Sequence, residues 1–267
     1  MRASHAIAQD IVSQWTNWAY ENKMSKAVLG MSGGCDSYVA AKLATMVFGK
    51  ENVVGVLMPN GEQADIADAE RACADLGIAY TVYNIKEAYD AFTKAFPNAT
   101  NKSRINLPPR LRMCALYFVA QSMDGAHVVT TSNASENLVG YCTLWGDSVG
   151  DFAPLKDCTK SAVRAIGLTL DLIPELVNKA PADGLTGKTD EEVLETTYKE
   201  IDRYITSYVK HYYDVEPKLL KKIKAAYFKR HMLSNIPRAR IQYDRLKDIF
   251  EETYNKLGDT NEIPSCN

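Results

Sequence analysis

The chain of 267 residues has almost no net charge: 31 Lys and Arg stand against 33 Asp and Glu, a formal −2 with a pI near 6.1. A polyanion partner calls for a basic field, so nucleic acid is not expected. No apolar run approaches the about 18 residues that span a bilayer, and the first residues lack a basic-plus-apolar signal pattern. A cytoplasmic protein with no membrane partner is therefore expected. The six cysteines (Cys35, Cys73, Cys114, Cys142, Cys158 and Cys266) include no C-x-x-C pair. That argues against a zinc site or a dithiol redox pair and leaves free thiols in a reducing compartment. No internal repeat or low-complexity segment occurs. With 46% hydrophobic residues, the chain can bury the core of one large α/β domain, taken as residues 1–267.

What is present centres on Leu29-Gly30-Met31-Ser32-Gly33-Gly34-Cys35-Asp36-Ser37. Residues 27–31 read as a buried strand, the glycine pair as a tight turn, and 37–47 as a helix beginning at Asp36 or Ser37. Such a turn forms an anion cradle, because free N–H groups and the positive end of the helix dipole face it, and glycine lets an anion approach the main chain. Ser32 and Ser37 add hydroxyls. Asp36 can cap the helix or hold the magnesium of bound phosphates. The string fits neither G-x-x-x-x-G-K-[ST] nor G-x-G-x-x-G.

Along the chain, residues 6–20 form an amphipathic helix, 52–58 a second strand ended by Pro59-Asn60-Gly61, 65–76 a helix and 79–83 a third strand. Alternation of this kind predicts a parallel sheet with ligands at the strands' carboxyl ends. Residues 96–109 lack periodicity and read as a mobile loop. A helix over 110–123 and a strand over 127–131 follow, and Asn133 with Glu136 has capping-box spacing. Residues 146–155 read as an acidic loop, 159–167 and 171–177 as helices, and 181–189 as a loop. Helices are predicted over 191–209, 217–231 and 240–257.

The S-G-G-x-D-S string resembles the pyrophosphate loop of the N-type ATP pyrophosphatases. Further segments resemble one family within that group, the ammonia-dependent NAD synthetases. These are M-P-N-G-E-Q-A-D-I-A-D-A from Met58, N-L-P-P-R-L-R-M from Asn106, T-S-N-A-S-E from Thr131, and the register through Gly140, Gly146-Asp147, Asp151, Pro154-Leu155 and Thr159-Lys160. The resemblance implies an adenine nucleotide α-hydrolase-like (Rossmann-like) fold, with a parallel sheet flanked by helices and a helical C-terminal portion. It also implies a homodimer, with deamido-NAD lying across the subunit boundary. The implied reaction is amidation of deamido-NAD to NAD with ATP and ammonia, through a nicotinoyl-adenylate. Gly30, Met31, Ser32, Gly33, Gly34, Cys35, Asp36 and Ser37 would hold ATP, together with Gln63, Thr131 and Lys160. Asp36 and Glu136 would share Mg2+. Arg110, Asp151, Phe228 and Lys229 match deamido-NAD positions, and Asp151 is also the candidate base for ammonium.

Three departures from the family pattern bear on substrate affinity. Leu144 replaces a lysine, Ala182 stands where a threonine is usual in a segment one residue shorter, and Phe228 replaces a histidine. No glutaminase domain with a catalytic cysteine is expected, so free ammonia is the implied nitrogen donor. Two other readings stay open at this level, a tRNA thiolase of the same superfamily and a nucleotide sensor without turnover.

Overall fold

The structure, a computed structural model, describes residues 2–63, 65–180, 189–207 and 216–254. Helix α1 (Arg2–Glu21) precedes the unit β1 (Lys26–Gly30), α2 (Cys35–Phe48), β2 (Val53–Leu57), α3 (Ile66–Leu76) and β3 (Ala79–Val82). Helices α4 (Lys86–Ala95) and α5 (Asn101–Gln121) lead to β4 (Ala126–Val129) and the short α6 (Ala134–Val139). The remainder is helical: α7 (Lys160–Thr169), α8 (Pro174–Asn178), α9 (Asp190–Leu194), α10 (Tyr198–Ser207), α11 (Pro217–Ala225), α12 (Tyr227–Met232) and α13 (Tyr243–Tyr254).

The four strands are parallel in the order β3-β2-β1-β4, with Ala27 opposite both Val53 and His127. The chain winds outward from β1 to β3 and then returns to place β4 on the other side of β1. Beyond the carboxyl ends of β1 and β4 the connections therefore diverge and open a crevice. Strand alternation divides the core between two faces. Ala27, Leu29, Val53, Leu57 and Val129 pack with Ile7, Ile11, Trp15, Leu43 and Ile166, whereas Val28, Val56 and Val128 pack with Ala115 and Ala120 of α5.

Of the segment expected to be a loop over 96–109, residues 101–109 are instead the beginning of α5. Thr100 caps the helix by accepting from Ser103 N at 3.2 Å, and the Arg104 side chain donates back to Pro97 O at 2.8 Å. Pro108 and Pro109 lie inside this helix and are buried. Each removes one N–H from the ladder, but proline's fixed φ is a helical one, and packing of the rings offsets the lost bonds. Composition alone hides this balance. Helix α4, unassigned from the sequence, buries none of its residues. The long helix expected over 191–209 breaks at Glu195, which has φ +50°, into α9 and α10. The helix expected over 171–177 begins later, with Pro174 in its first turn. That over 217–231 divides at Ala226, and that over 240–257 is α13 within the described residues. The predicted loop over 181–189 lies outside the described residues apart from Thr189, which caps α9.

Candidate active site

The crevice holds a cavity of about 540 Å³, floored by the carboxyl ends of β1 and β4 and by the N-terminus of α2. Gly30, Met31, Ser32, Gly34, Cys35, Asp36 and Ser37 line it. Gly33 supports the turn from behind: it has φ +76°, and a Cβ there would lie 2.7 Å from the Asp65 carbonyl oxygen. Only glycine fits so close to the start of α3. Gly34 is the N-cap and has no side chain to satisfy the first N–H groups of α2, which leaves them to the cavity. The two serines shape the loop from within. Ser37 Oγ donates to Gly34 O at 3.0 Å and accepts from Ser32 N at 3.3 Å, while Gly34 N donates to Ser32 Oγ at 3.3 Å. Burial and the Asp36 carboxylate push the Cys35 thiol up to about 12, so it stays protonated and serves as packing.

Beneath the loop lie the charges. Asp36 accepts from Asn133 Nδ2 at 3.3 Å and is bonded to the Lys160 ammonium, whose nitrogen is 3.7 Å from Glu136 Oε1. Lys160 is only 2% exposed. Burial works against its charge, but Asp36 and Glu136 more than offset that and hold its pKa above the ordinary value. Burial and the neighbouring Asp36 raise Glu136 in turn. The capping box at Asn133 is present too: Glu136 N donates to Asn133 Oδ1 at 3.0 Å, and Asn133 N donates to Glu136 Oε2 at 3.5 Å. Glu136 thus caps α6 with one oxygen and turns the other toward Lys160.

Asp202 of α10 ties these charges to the frame. It accepts from Ser135 Oγ and, at 2.8 Å, from Ser161 N, and Lys160 N donates to Ser135 Oγ at 3.0 Å. The residues flanking Glu136 and Lys160 are thereby joined through one buried carboxylate. Such a carboxylate tolerates burial when its oxygens are satisfied and it sits at a helix N-terminus, here that of α7. Asp190 lines the same side of the cavity and accepts from the Tyr198 hydroxyl at 2.9 Å.

Gln63 and Thr131 line the cavity, as does Lys229, whose ammonium caps the Gly140 and Cys142 carbonyl oxygens. Three other predicted residues lie elsewhere. Arg110 is exposed on the outer side of α5 and donates to Leu144 O at 3.3 Å. Phe228 is 62% exposed and does not line the cavity. Asp151 is also outside the lining, because its two oxygens accept from Val128 N at 2.8 Å and Tyr117 OH at 3.1 Å and pin the chain beside β4. The acidic-loop carboxylate that does line the cavity is Asp147, which accepts from Thr143 N at 2.7 Å and is raised by burial.

Arg112 was missed by sequence reasoning. It lines the cavity with its Nε donating to Met58 O at 2.9 Å. Helical spacing contained the signal, since Ile105, Pro109, Arg112, Met113 and Leu116 all line the cavity and recur at three- and four-residue steps, whereas Arg110 falls off that stripe.

This architecture matches one group of known proteins. The sequence model of NAD synthase aligns with residues 7–232. The chain belongs to the NAD synthase family. The NH3-dependent NAD+ synthetase of Thermococcus sibiricus is 43% identical over 187 residues, covering 69% of this chain and 73% of the relative. The Pyrococcus furiosus NH3-dependent NAD+ synthetase is 37% identical over 199 residues, covering 74% and 77%. Among solved structures, an NMN synthetase from Francisella tularensis superposes with a TM-score of 0.77 at 32% identity, covering 86% of this chain and 95% of that one. The NH3-dependent NAD synthetase of Campylobacter jejuni gives 0.71 at 29%, covering 90% and 98%. These neighbours establish the adenine nucleotide α-hydrolase-like fold expected from the pyrophosphate loop.

Proposed function

We infer that this NAD synthase family member is an ATP-dependent carbon–nitrogen ligase that amidates deamido-NAD to NAD with ammonia. The observation that carries the inference is the buried Lys160 ammonium between the half-buried Asp36 and Glu136, directly under a glycine loop and a free helix N-terminus. A carboxylate resists ammonia because it is negatively charged and oxide is a poor leaving group. Attack of a carboxylate oxygen on the α-phosphorus of ATP releases pyrophosphate and removes both obstacles. Ammonia then adds to the carbonyl carbon, and AMP departs with that oxygen. The protein contributes position and charge rather than a nucleophile.

Within this scheme the loop N–H groups take the phosphates, and Lys160 offsets charge gathering at phosphorus. Asp36 and Glu136 bring two carboxylates to one point, with the remaining coordination left to phosphate oxygens and water. Such a hard-oxygen set fits Mg2+, which would neutralise the triphosphate. Arg112 and Lys229 are the cavity cations for the acid substrate, and Asp147 takes over from Asp151 as the candidate proton acceptor from ammonium. A homodimer accounts for the apolar surface of α4 and α5, where Phe92 and Phe118 are 50% and 68% exposed. Arg110 and Phe228, both exposed, would then meet substrate across the subunit boundary. Among the described residues no helix is long and apolar enough to cross a membrane.

The likeness to an NMN synthetase supports a second acceptor, nicotinic acid mononucleotide, which carries the same carboxylate without the adenylate half. Pyrophosphate release is to be measured with ATP, Mg2+ and ammonium, adding deamido-NAD, the mononucleotide acid, or neither. Release that requires deamido-NAD supports the main reading, and preference for the mononucleotide supports the second. Silence with both acceptors refutes each.

A further inference from the structure

Lys160 reaches the site through a long flexible side chain, and its position depends on what surrounds the ammonium. Asp36 and Glu136 attract it from one direction. Below it is the ring of Tyr198, with its centroid 5.3 Å from the Lys160 nitrogen. This distance lies within the range at which an ammonium is attracted to an aromatic face. The ring itself is tightly held. Tyr198 is 2% exposed, its hydroxyl donates to Asp190 Oδ2 at 2.9 Å, and its backbone N donates to Glu191 Oε1 at 2.7 Å. Burial, with Glu136 and Asp190 nearby, raises the phenol well above its ordinary range and keeps it a donor.

We propose that Tyr198 is a positioning residue for adenylation: its ring holds the Lys160 ammonium at the phosphate site without competing for it. The inference rests on the assignment of Lys160 to the nucleotide phosphates. An ammonium that serves a transferring phosphoryl group has to exchange a carboxylate partner for phosphate oxygens. A third carboxylate in contact would hold the charge back, and an aliphatic wall would leave it unsupported while desolvated. An aromatic face attracts the cation weakly over the whole ring surface and not at one atom, so the ammonium can shift across it. Helix α10 also carries Asp202 one turn after Tyr198, so one helix fixes both the backbone of Lys160 and the surface against which its charge rests.

Tyr198 also packs with Val139, Leu194 and Ile201, so truncation alone confounds positioning with stability. The test keeps the shape and changes the ring's electrostatics. Phenylalanine and pentafluorophenylalanine are placed at position 198 of the full chain, and single-turnover pyrophosphate release is followed with saturating ATP, Mg2+, deamido-NAD and ammonium. Loss of the hydroxyl bond to Asp190 is common to both rings, and fluorination, which reverses the ring quadrupole, lowers the rate below that of the phenylalanine variant by about threefold to thirtyfold. In a Lys160→Ala background the fluorine effect falls below about twofold, because the interaction partner is gone. Equal rates for the two rings, or the same fluorine effect in both backgrounds, would each overturn the proposal. No release from the wild-type protein would remove the underlying reading and, with it, the role of Tyr198.

Discussion

His127 gives a stability prediction that can be worked from the structure. It lies on β4, fully buried, with Trp15, Trp18 and Phe48 around it, and its Nε2 accepts from Trp15 Nε1 at 3.2 Å. Burial lowers its pKa from 6.5 to about 4, against smaller opposing contributions from the Lys26 backbone and Asp151. A group whose folded pKa is depressed below the unfolded value contributes stability that is present above pH 6.5 and lost as pH falls toward 4. The full difference corresponds to about 3 kcal/mol, of which about 2 kcal/mol is lost by about pH 5. The perturbation is His127→Phe, which removes the titration and retains a planar ring. Urea unfolding of both proteins at about pH 7.5, 6 and 5 gives the difference in their stabilities at each pH. Cavity or packing costs of the substitution shift the variant by a constant, whereas the titration changes the gap. The wild-type protein should lose about 2 kcal/mol relative to the variant across this interval. Parallel pH dependences would show that His127 is hydrated or protonated in the folded state and that the reasoning fails.

Three further outcomes follow from the geometry. Gly33→Ala places a Cβ 2.7 Å from Asp65 O at a φ of +76° and should raise KM for ATP at least tenfold, while costing about 1–2 kcal/mol in unfolding experiments. An unchanged ATP affinity would dissociate the turn from nucleotide binding. Arg112→Met keeps the side-chain volume but removes the cavity guanidinium, and KM for the acid should rise about tenfold or more with KM for ATP nearly unchanged; a rise for ATP instead would move Arg112 to the phosphate side. Phe118→Glu puts a charge on the apolar face of α5, and sedimentation should report a monomer, against the dimer proposed for the wild-type protein. A wild-type protein that is already monomeric at micromolar concentration would remove that assignment.

How much of this was legible in the sequence varied with the type of signal. The β1–loop–α2 unit was, because glycine spacing, strand hydrophobicity and helix start coincide in nine residues, and the structure brings Asp36, Glu136 and Lys160 of the motif register together around the Lys160 ammonium. The parallel sheet also followed from strand–helix alternation, although its order, set by the return of the chain to β4, did not. Local cues failed where tertiary packing overrode them. Paired prolines concealed the beginning of α5, and an amphipathic α4 with no buried residue gave no recognisable core stripe. Asp151 illustrates a different limit. Its register matched a substrate position, yet two hydrogen bonds draw its carboxylate to the sheet edge, and the cavity receives Asp147, four residues earlier in the same loop. Within the helix expected over 191–209, Tyr198 is one of several apolar positions at helical spacing, a pattern that signals core packing. Its place beneath Lys160 depends on the break at Glu195, which redirects α10 and which no glycine or proline marks.

The claim on which the account turns is that ATP is used to transfer an oxygen from the acid to AMP. Deamido-NAD labelled with 18O in the nicotinate carboxylate, incubated with the protein, ATP, Mg2+ and ammonium, provides the direct measurement by mass spectrometry of the recovered AMP. The account predicts one labelled oxygen in each AMP formed, and loss of AMP formation in Asp36→Asn. Unlabelled AMP accompanied by amidated product, or label appearing in inorganic phosphate, would contradict it.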